Sequence, residues 1–175
     1  MDFLNFDFNL FEALIWLLVV FLSIAFHEYS HGFAAHQIGD DTAELSGRLT
    51  LNPIKHIDPI GSIVLPLFLL AIGSPFLFGW AKPVPYNPAN LRNKKWGEAL
   101  VALAGPAANL LIAIFAAIFF RLVYHGNFVG LSSVAGAEVD LVQFFALLSI
   151  INISLAVFNL VPIPPLDCSK ILSAV

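Results

Sequence analysis

Residues 26–31 read Phe26-His27-Glu28-Tyr29-Ser30-His31 and lie inside an apolar segment. His27 and His31 are four residues apart, so on a helix they lie one turn apart on the same face. Two imidazoles at this spacing can bind one metal ion, and Glu28 can then act on a water molecule. Glu12 is the one other acidic or basic side chain between residues 10 and 35. The segment therefore predicts a membrane-spanning helix whose ionisable groups are candidates for function.

Composition places the chain among integral membrane proteins. Of its 175 residues, 59% are hydrophobic and 11% are charged, whereas a soluble domain has about 25% charged residues. The mean hydropathy is +0.86. The single cysteine, Cys168, excludes an intramolecular disulfide bond. The few basic residues form no compact patch with aromatic side chains, so nucleic-acid binding has no support.

Four apolar stretches follow one another, at about residues 10–36, 59–80, 99–122 and 141–162. The first, third and fourth are long enough to cross a bilayer, which takes about 20 helical residues. The second has basic residues on both flanks, and basic loops favour the cytoplasm. We therefore expect the second stretch to be re-entrant, with a full crossing as the alternative.

The charge pattern also predicts an orientation. With an acidic N-terminus outside, the first helix runs inward, the third stretch outward and the fourth inward again. Seven of the eight basic residues, all but Arg121, then lie on the cytoplasmic side. His27 follows Leu10 by a distance of roughly 25 Å along a helix, in a hydrocarbon core about 30 Å thick. A metal at His27 would thus lie toward the cytoplasmic side of the bilayer.

Two segments between the helices predict short β-strands at the cytoplasmic side. Residues 47–53 end in a turn, and in residues 78–85 two prolines, Pro83 and Pro85, hold the preceding residue out of a helix. An exposed strand edge can bind an extended peptide by strand addition. Ordinary interfacial loops are the alternative.

A catalytic zinc commonly takes three protein ligands, so the two histidines need a partner. Asp167 lies in an apolar, proline-rich stretch, residues 159–167. Irregular backbone of this kind at membrane depth needs a cavity around it, which makes Asp167 a candidate ligand. The alternative is that Asp167 caps a helix through residues 169–172. Other carboxylates lie in predicted surface loops after the first helix: Asp40, Asp41, Glu44 and Asp58.

Asparagines add to this candidate site. Asn109 ends the stretch Gly105-Pro106-Ala107-Ala108-Asn109, and Asn159 begins the proline-rich stretch. Either side chain can hydrogen-bond a substrate peptide or polarise its carbonyl oxygen. Hydrogen bonding between helices is the alternative, and we favour it for Asn109 and for Asn152.

The chain resembles the site-2 protease family of zinc-dependent intramembrane metalloproteases. The resemblance lies in residues 26–32, 105–109 and 159–167, which occur in this order inside apolar segments. Residues 47–53 and 79–84 resemble a compact prokaryotic subgroup of that family without a PDZ domain. The similarity covers nearly the whole chain.

This resemblance implies a role for each matching residue. It implies that His27, His31 and Asp167 bind Zn²⁺, that Glu28 is the catalytic base, and that Asn159 helps to hold the substrate or its oxyanion. The implied activity is regulated intramembrane proteolysis, the cleavage of a transmembrane segment of a membrane-tethered protein. The implied location is a prokaryotic inner or plasma membrane, with the lipid bilayer and a transmembrane substrate as partners.

Two features depart from the family pattern. Cys168 stands where the family has a glycine after the aspartate, so it introduces crowding, or a thiolate beside the metal, unless it is a tolerated small residue. The chain also ends inside a newly started helix, so we expect a form truncated at its C-terminus. Two other functions compete: a catalytically weak or inactive regulator that binds membrane helices, and a metal transporter.

The expected fold is an all-α polytopic membrane protein. Residues 1–175 are predicted to form a single membrane-embedded metalloprotease core. This core has three catalytic helices, a re-entrant or extra membrane segment, and short β-strands at the cytoplasmic side.

Overall fold

Three long helices form the body of the protein in a computed structural model. They are α1 at Leu10–Gln37, α4 at Gly97–His125 and α5 at Leu141–Leu160. Each contains a window that is long and apolar enough to cross a membrane, which confirms the prediction of three membrane-length helices. The structure describes residues 10–74, 79–93, 96–125, 133–134, 137–138, 141–164 and 166–174.

Shorter elements connect the long helices. The short α-helices are α2 at Thr42–Leu45, α3 at Leu65–Ala71 and α6 at Ser169–Ala174. Two 3₁₀ turns and one π-helix complete the helical elements, at Pro53–His56, Pro88–Asn90 and Pro59–Val64. The strands β1 at Ser133–Val134 and β2 at Ala137–Glu138 pair antiparallel between α4 and α5.

Helix α4 packs along both α1 and α5, and α1 and α5 also contact each other. Many of the apolar side chains buried between these helices are alanines, including Ala25 on α1, Ala102 on α4 and Ala156 on α5. Small side chains let helix backbones approach closely, which is how helices associate inside a bilayer. Large apolar side chains such as Phe115 and Ile118 stay exposed on the outer faces. The bundle is therefore apolar outside and closely packed inside.

The second apolar stretch folds back on itself. Its helical part, π-helix and α3 together, is too short to count as a membrane span, since a crossing needs about 20 helical residues. The Trp80 N–H donates to the Gly61 carbonyl at 3.2 Å, and the Lys82 N–H donates to the His56 carbonyl at 2.8 Å. The two ends of the stretch therefore lie side by side, as a re-entrant segment requires. Entry of this segment into a bilayer stays a prediction.

The β-strands predicted at residues 47–53 and 78–85 are wrong as far as these residues are described; residue 78 lies outside the described residues. Residues 47–52 adopt turn and irregular backbone before the 3₁₀ turn begins at Pro53. Residues 79–85 form no regular element.

The reason lies in where the backbone groups of the second segment find partners. The Arg48 guanidinium donates to the carbonyls of Lys82 at 2.7 Å and Pro83 at 3.3 Å. The Val84 N–H donates to the Glu28 carboxylate at 2.8 Å. Side chains thus satisfy backbone groups that a neighbouring strand would otherwise bind, because every such group needs a partner when it is removed from water.

Asp40 ties the end of α1 to the segment that leads into α4. Gly39 turns the chain after α1 with a φ of 109°, a conformation that glycine adopts without strain. Asp40 is fully buried and accepts hydrogen bonds from Thr42 N and Oγ1, from Asn87 N at 2.6 Å and from Asn90 Nδ2 at 2.8 Å. Burial would raise the pKa of this carboxyl, but the hydrogen bonds from Thr42, Asn87 and Asn90 hold it below its usual value.

We expect Asp40→Asn to lower the thermal stability of the detergent-solubilised protein, by about 1–3 kcal/mol, because the new amide directs N–H groups at existing donors. Because the folded pKa is depressed, the carboxylate stabilises the fold fully above about pH 4 and loses that effect as the pH falls further. Thermal unfolding between pH 3 and 7 measures both effects. Asp41→Asn is the matched control, since its exposed pair with His36 contributes little. Equal unfolding temperatures of the two variants would contradict the role of Asp40.

Candidate metal centre

Three side chains from the two ends of the sequence converge beside α4. His27 Nε2 lies 2.9 Å and His31 Nε2 3.1 Å from Asp167 Oδ2, and the two Nε2 atoms are 3.0 Å apart. Both histidines are buried. One turn of α1 presents the two imidazoles on one face, as their spacing predicts. The three residues that the sequence predicts as ligands thus form one group of candidate ligand atoms.

Asp167 reaches the histidines because α5 ends at Leu160 and the prolines that follow prevent helix. The Cys168 N–H donates back to the Asn159 carbonyl at 3.1 Å, which closes this loop onto the end of α5. A helix does start nearby, at Ser169, as the alternative assignment expected, but the Asp167 carboxylate faces the histidines. Burial would raise the pKa of Asp167, whereas its hydrogen bonds with His27 and His31 hold that pKa well below its usual range.

Helix α4 holds both imidazoles by their second nitrogen. His31 Nδ1 lies 2.7 Å from the Val101 carbonyl, and His27 Nδ1 lies 2.5 Å from Asn109 Oδ1. A backbone carbonyl only accepts, so the His31 Nδ1 atom carries a proton and its Nε2 is the nitrogen that can bind a metal. Metal-binding histidines are commonly oriented in this way.

Gly105 leaves space beside the two Nε2 atoms. A Cβ at this position would lie 2.7 Å from His27 Nε2 and would overlap His31 Nε2. Two imidazole nitrogens and one carboxylate oxygen suit Zn²⁺ in a site with an open position. The hydrogen bonds at the Nδ1 atoms orient both rings, as is usual for metal-binding histidines. The residues present therefore fit a catalytic zinc.

Glu28 lies next to this group but is not part of it. Its Oε2 atom accepts the Val84 N–H at 2.8 Å. Val84 is buried and packs on Gly32, where a Cβ would lie 2.9 Å from Val84 Cγ1. The segment around Val84 thus covers the histidine-bearing turn of α1 and orients the Glu28 carboxylate.

Asn159 is placed differently from the other predicted site residues. Its Nδ2 atom donates to the Leu155 carbonyl at 3.0 Å, within α5. The predicted role of Asn159 in holding the substrate stays a prediction.

Val84 and Val101 contribute to the site through backbone atoms, the Val84 N–H to Glu28 and the Val101 carbonyl to His31. The sequence carries no signal for such contacts.

The remaining carboxylates near α1 have other surroundings. Asp58 caps the π-helix by accepting from Ile60 N and Gly61 N. Asp41 and Glu44 lie exposed beside His36, with Nδ1–oxygen distances of 2.8 and 3.5 Å. None of these carboxylates joins the group formed by His27, His31 and Asp167.

Cys168 is buried, and its Sγ atom does not join the ligand group. Burial, together with the charge of Asp167, raises the pKa of the thiol, so Cys168 is a neutral side chain at physiological pH. These observations favour the tolerated small residue over a competing thiolate ligand.

We expect Cys168→Ala and Cys168→Gly to keep the zinc stoichiometry of the parent protein, because neither removes a ligand atom. Metal analysis of the purified variants measures this. Asp167→Ala is the comparison, since it removes a candidate ligand from the adjacent position. Loss of zinc from Cys168→Ala alone would show that the thiol does contribute.

Comparison with known proteins finds relatives that are named as metalloproteases. The profile of peptidase family M50 matches residues 120–175. The "Putative zinc metalloprotease YwhC" of Bacillus subtilis is 39% identical over 170 residues, which cover 97% of this chain and 72% of that protein. The "Putative zinc metalloprotease Rip2" of Mycolicibacterium smegmatis is 33% identical over 146 residues, 83% of this chain and 51% of its own length.

The protein of the same name from Mycobacterium tuberculosis is 33% identical over 147 residues, so the chain spans about half the length of the Rip2 proteins. No solved structure matches the chain. The match to the Bacillus protein extends over almost the whole of this sequence and most of that relative. The chain therefore belongs to peptidase family M50, the site-2 protease family of metalloproteases.

Proposed function

We propose that this chain is a zinc-dependent intramembrane endopeptidase that cleaves transmembrane segments of membrane-tethered proteins. The observation that carries the proposal is the convergence of His27, His31 and Asp167 beside Glu28, on membrane-length helices. Membership of family M50 supports the protease chemistry. Cleavage inside the membrane is our inference from the position of the site on α1.

His27, His31 and Asp167 would hold the zinc ion, a Lewis acid that polarises the scissile carbonyl and makes water more acidic. Glu28 accepts the proton of the attacking water and donates it to the leaving amine. The Val84 N–H holds the Glu28 carboxylate in place for this transfer. Asn159 is proposed to bind the substrate carbonyl, which requires release of its bond to Leu155.

Three membrane-length helices and the family indicate a multi-pass membrane protein. His27 and His31 lie in the second half of α1, at the end of the bundle where the segment between α1 and α4 carries six of the eight basic residues. Basic loops favour the cytoplasm. We propose on this basis that the active site lies toward the cytoplasmic side of a prokaryotic inner or plasma membrane.

A transmembrane substrate must unwind locally, because a helix hides its peptide bonds in intrahelical hydrogen bonds. Strand addition to residues 79–84 would first have to release the bonds from Arg48 and those to His56 and Gly61. We therefore do not propose this segment as a preformed strand edge. The convergence of three ligand atoms on one point also argues against a metal transporter, which needs ligands along a path.

The test is zinc content and cleavage of a transmembrane test peptide by the detergent-purified protein. We expect one zinc per chain, and cleavage that stops with a chelator and returns with added zinc. His31→Ala should lose both properties. His36→Ala is the matched control, because His36 lies on the same helix but outside the ligand group. Zinc binding without cleavage would favour the regulator, and absence of zinc from the unsubstituted protein would overturn the proposal.

A further inference from the structure

We propose that Ser23 and Asn152, which lie outside the ligand group, set the ring tautomer of His27 through Asn109. The consequence for metal binding rests on the proposed function, whereas the tautomer itself can be measured without metal. Ser23 lies on α1, Asn109 on α4 and Asn152 on α5. The three side chains are buried, with at most 1% of the surface of each residue exposed.

Hydrogen bonds join these residues into one chain that ends at the metal centre. Asn152 Nδ2 lies 2.9 Å from Ser23 Oγ, and Asn109 Nδ2 lies 2.7 Å from Asn152 Oδ1. The last step joins Asn109 Oδ1 to His27 Nδ1 at 2.5 Å. The sequence gives part of this arrangement, because Ser23 precedes His27 by one helical turn and so lies on the same face of α1.

Two backbone carbonyls give this chain a direction. Ser23 Oγ donates its proton to the Val19 carbonyl at 2.7 Å, so toward Asn152 it can only accept. Asn152 Nδ2 also donates to the Leu148 carbonyl at 2.8 Å. The Leu148 carbonyl has no proton to donate and the Ser23 hydroxyl donates its proton to Val19, so both partners of Asn152 must face its amide nitrogen.

The orientation of the Asn152 amide then determines the orientation of the Asn109 amide, and so which Asn109 atom faces His27. Since the Asn152 nitrogen faces Ser23, its oxygen faces Asn109 and must receive an N–H. The Asn109 nitrogen supplies that N–H, so the Asn109 oxygen faces His27. An amide oxygen only accepts, and therefore His27 Nδ1 carries a proton, which leaves Nε2, beside Asp167 and His31, as the nitrogen that can bind a metal.

Burial makes the direction robust. Flipping either amide would place donor against donor and acceptor against acceptor away from water, and each unsatisfied buried group costs about 1–3 kcal/mol. His31 needs no such relay, because the Val101 backbone carbonyl orients it directly. Asn109 and Asn152 thus do join helices, as the sequence predicts, and the same bonds orient a metal ligand.

The experiment is nitrogen NMR of metal-free protein labelled with ¹⁵N-histidine, with His27 assigned by loss of its signals in His27→Gln. We expect the proton on Nδ1 in the unsubstituted protein and in Ser23→Thr, which keeps the hydroxyl. Asn152→Leu should leave Nδ1 of His27 protonated in only part of the molecules and, because outer contacts of a ligand typically change affinity 10–100-fold, weaken zinc binding roughly tenfold. Ser149→Ala is the control, since Ser149 also bonds α5 to α4, through the Ala113 carbonyl.

A rescue separates orientation from packing. In Asn109→Asp the group beside His27 is a carboxylate, which accepts whatever Asn152 does. The double variant Asn109→Asp with Asn152→Leu should therefore restore the proton to Nδ1. Absence of a proton from His27 Nδ1 in the unsubstituted protein would overturn the proposal, as would unchanged protonation of His27 Nδ1 in Asn152→Leu. If the tautomers behave as expected but no variant binds zinc, the proposed function fails and this inference stands.

Discussion

Replacing Glu28 by glutamine is expected to lower peptide cleavage by about 10²–10⁴-fold, the contribution of a positioned general base, and to leave the zinc content unchanged. Glutamine has the shape of glutamate and keeps an oxygen that can accept the Val84 N–H. It has no basic oxygen to take a proton from water. Zinc should remain because Glu28 lies outside the ligand group of His27, His31 and Asp167. Cleavage of a transmembrane test peptide and metal analysis on the same preparation measure the two effects.

The control for this variant is Glu44→Gln, which removes a carboxylate of the same kind from the exposed surface. It should cleave at the rate of the unsubstituted protein. Residual cleavage by Glu28→Gln at that rate would show that another group acts as the base. Simultaneous loss of zinc would mean that Glu28 supports the metal rather than the proton transfer.

Much of the site could be predicted from the sequence because its parts follow local rules. The spacing of His27 and His31 determines their shared face on any helix, and an apolar segment of that length predicts the helix itself. Asp167 could be singled out because an acid in an apolar, proline-rich stretch is costly without a partner. In both cases the side chain is informative without knowledge of the rest of the fold.

The rest could not be predicted because it depends on backbone atoms brought from distant segments. Val84 acts through its backbone N–H, which every residue type except proline has. Val101 acts through its backbone carbonyl, which every residue type has. The strands predicted at residues 47–53 and 78–85 are absent from the described part of these segments for a related reason, since Arg48 binds two backbone carbonyls of the second segment. A long side chain from a distant segment can thus take the place of the β-strand hydrogen bonds that the local sequence favours.

Replacing Gly105 by alanine is expected to remove zinc binding, with an affinity loss on the order of 100-fold or more, at the upper end of what outer contacts of a metal ligand cause. The added methyl group would lie 2.7 Å from His27 Nε2 and would overlap His31 Nε2. One side chain must then turn away, although zinc needs both nitrogens at about 2.0–2.1 Å. Helix α4 itself should be kept, because alanine is preferred over glycine in a helix interior by roughly 0.5–1 kcal/mol. Zinc competition with a chelator and thermal unfolding measure these two effects separately.

Gly97→Ala is the matched control on the same helix. Its methyl group would lie 3.1 Å from the Leu91 side chain, which can shift by a few tenths of an ångström without touching a candidate ligand. This variant should bind zinc normally. If Gly105→Ala also bound zinc with unchanged affinity, the ion would have to lie away from the face of α4 that Gly105 occupies. The hydrogen bonds that Val101 and Asn109 of α4 make with the two histidines would then no longer be explained by metal binding.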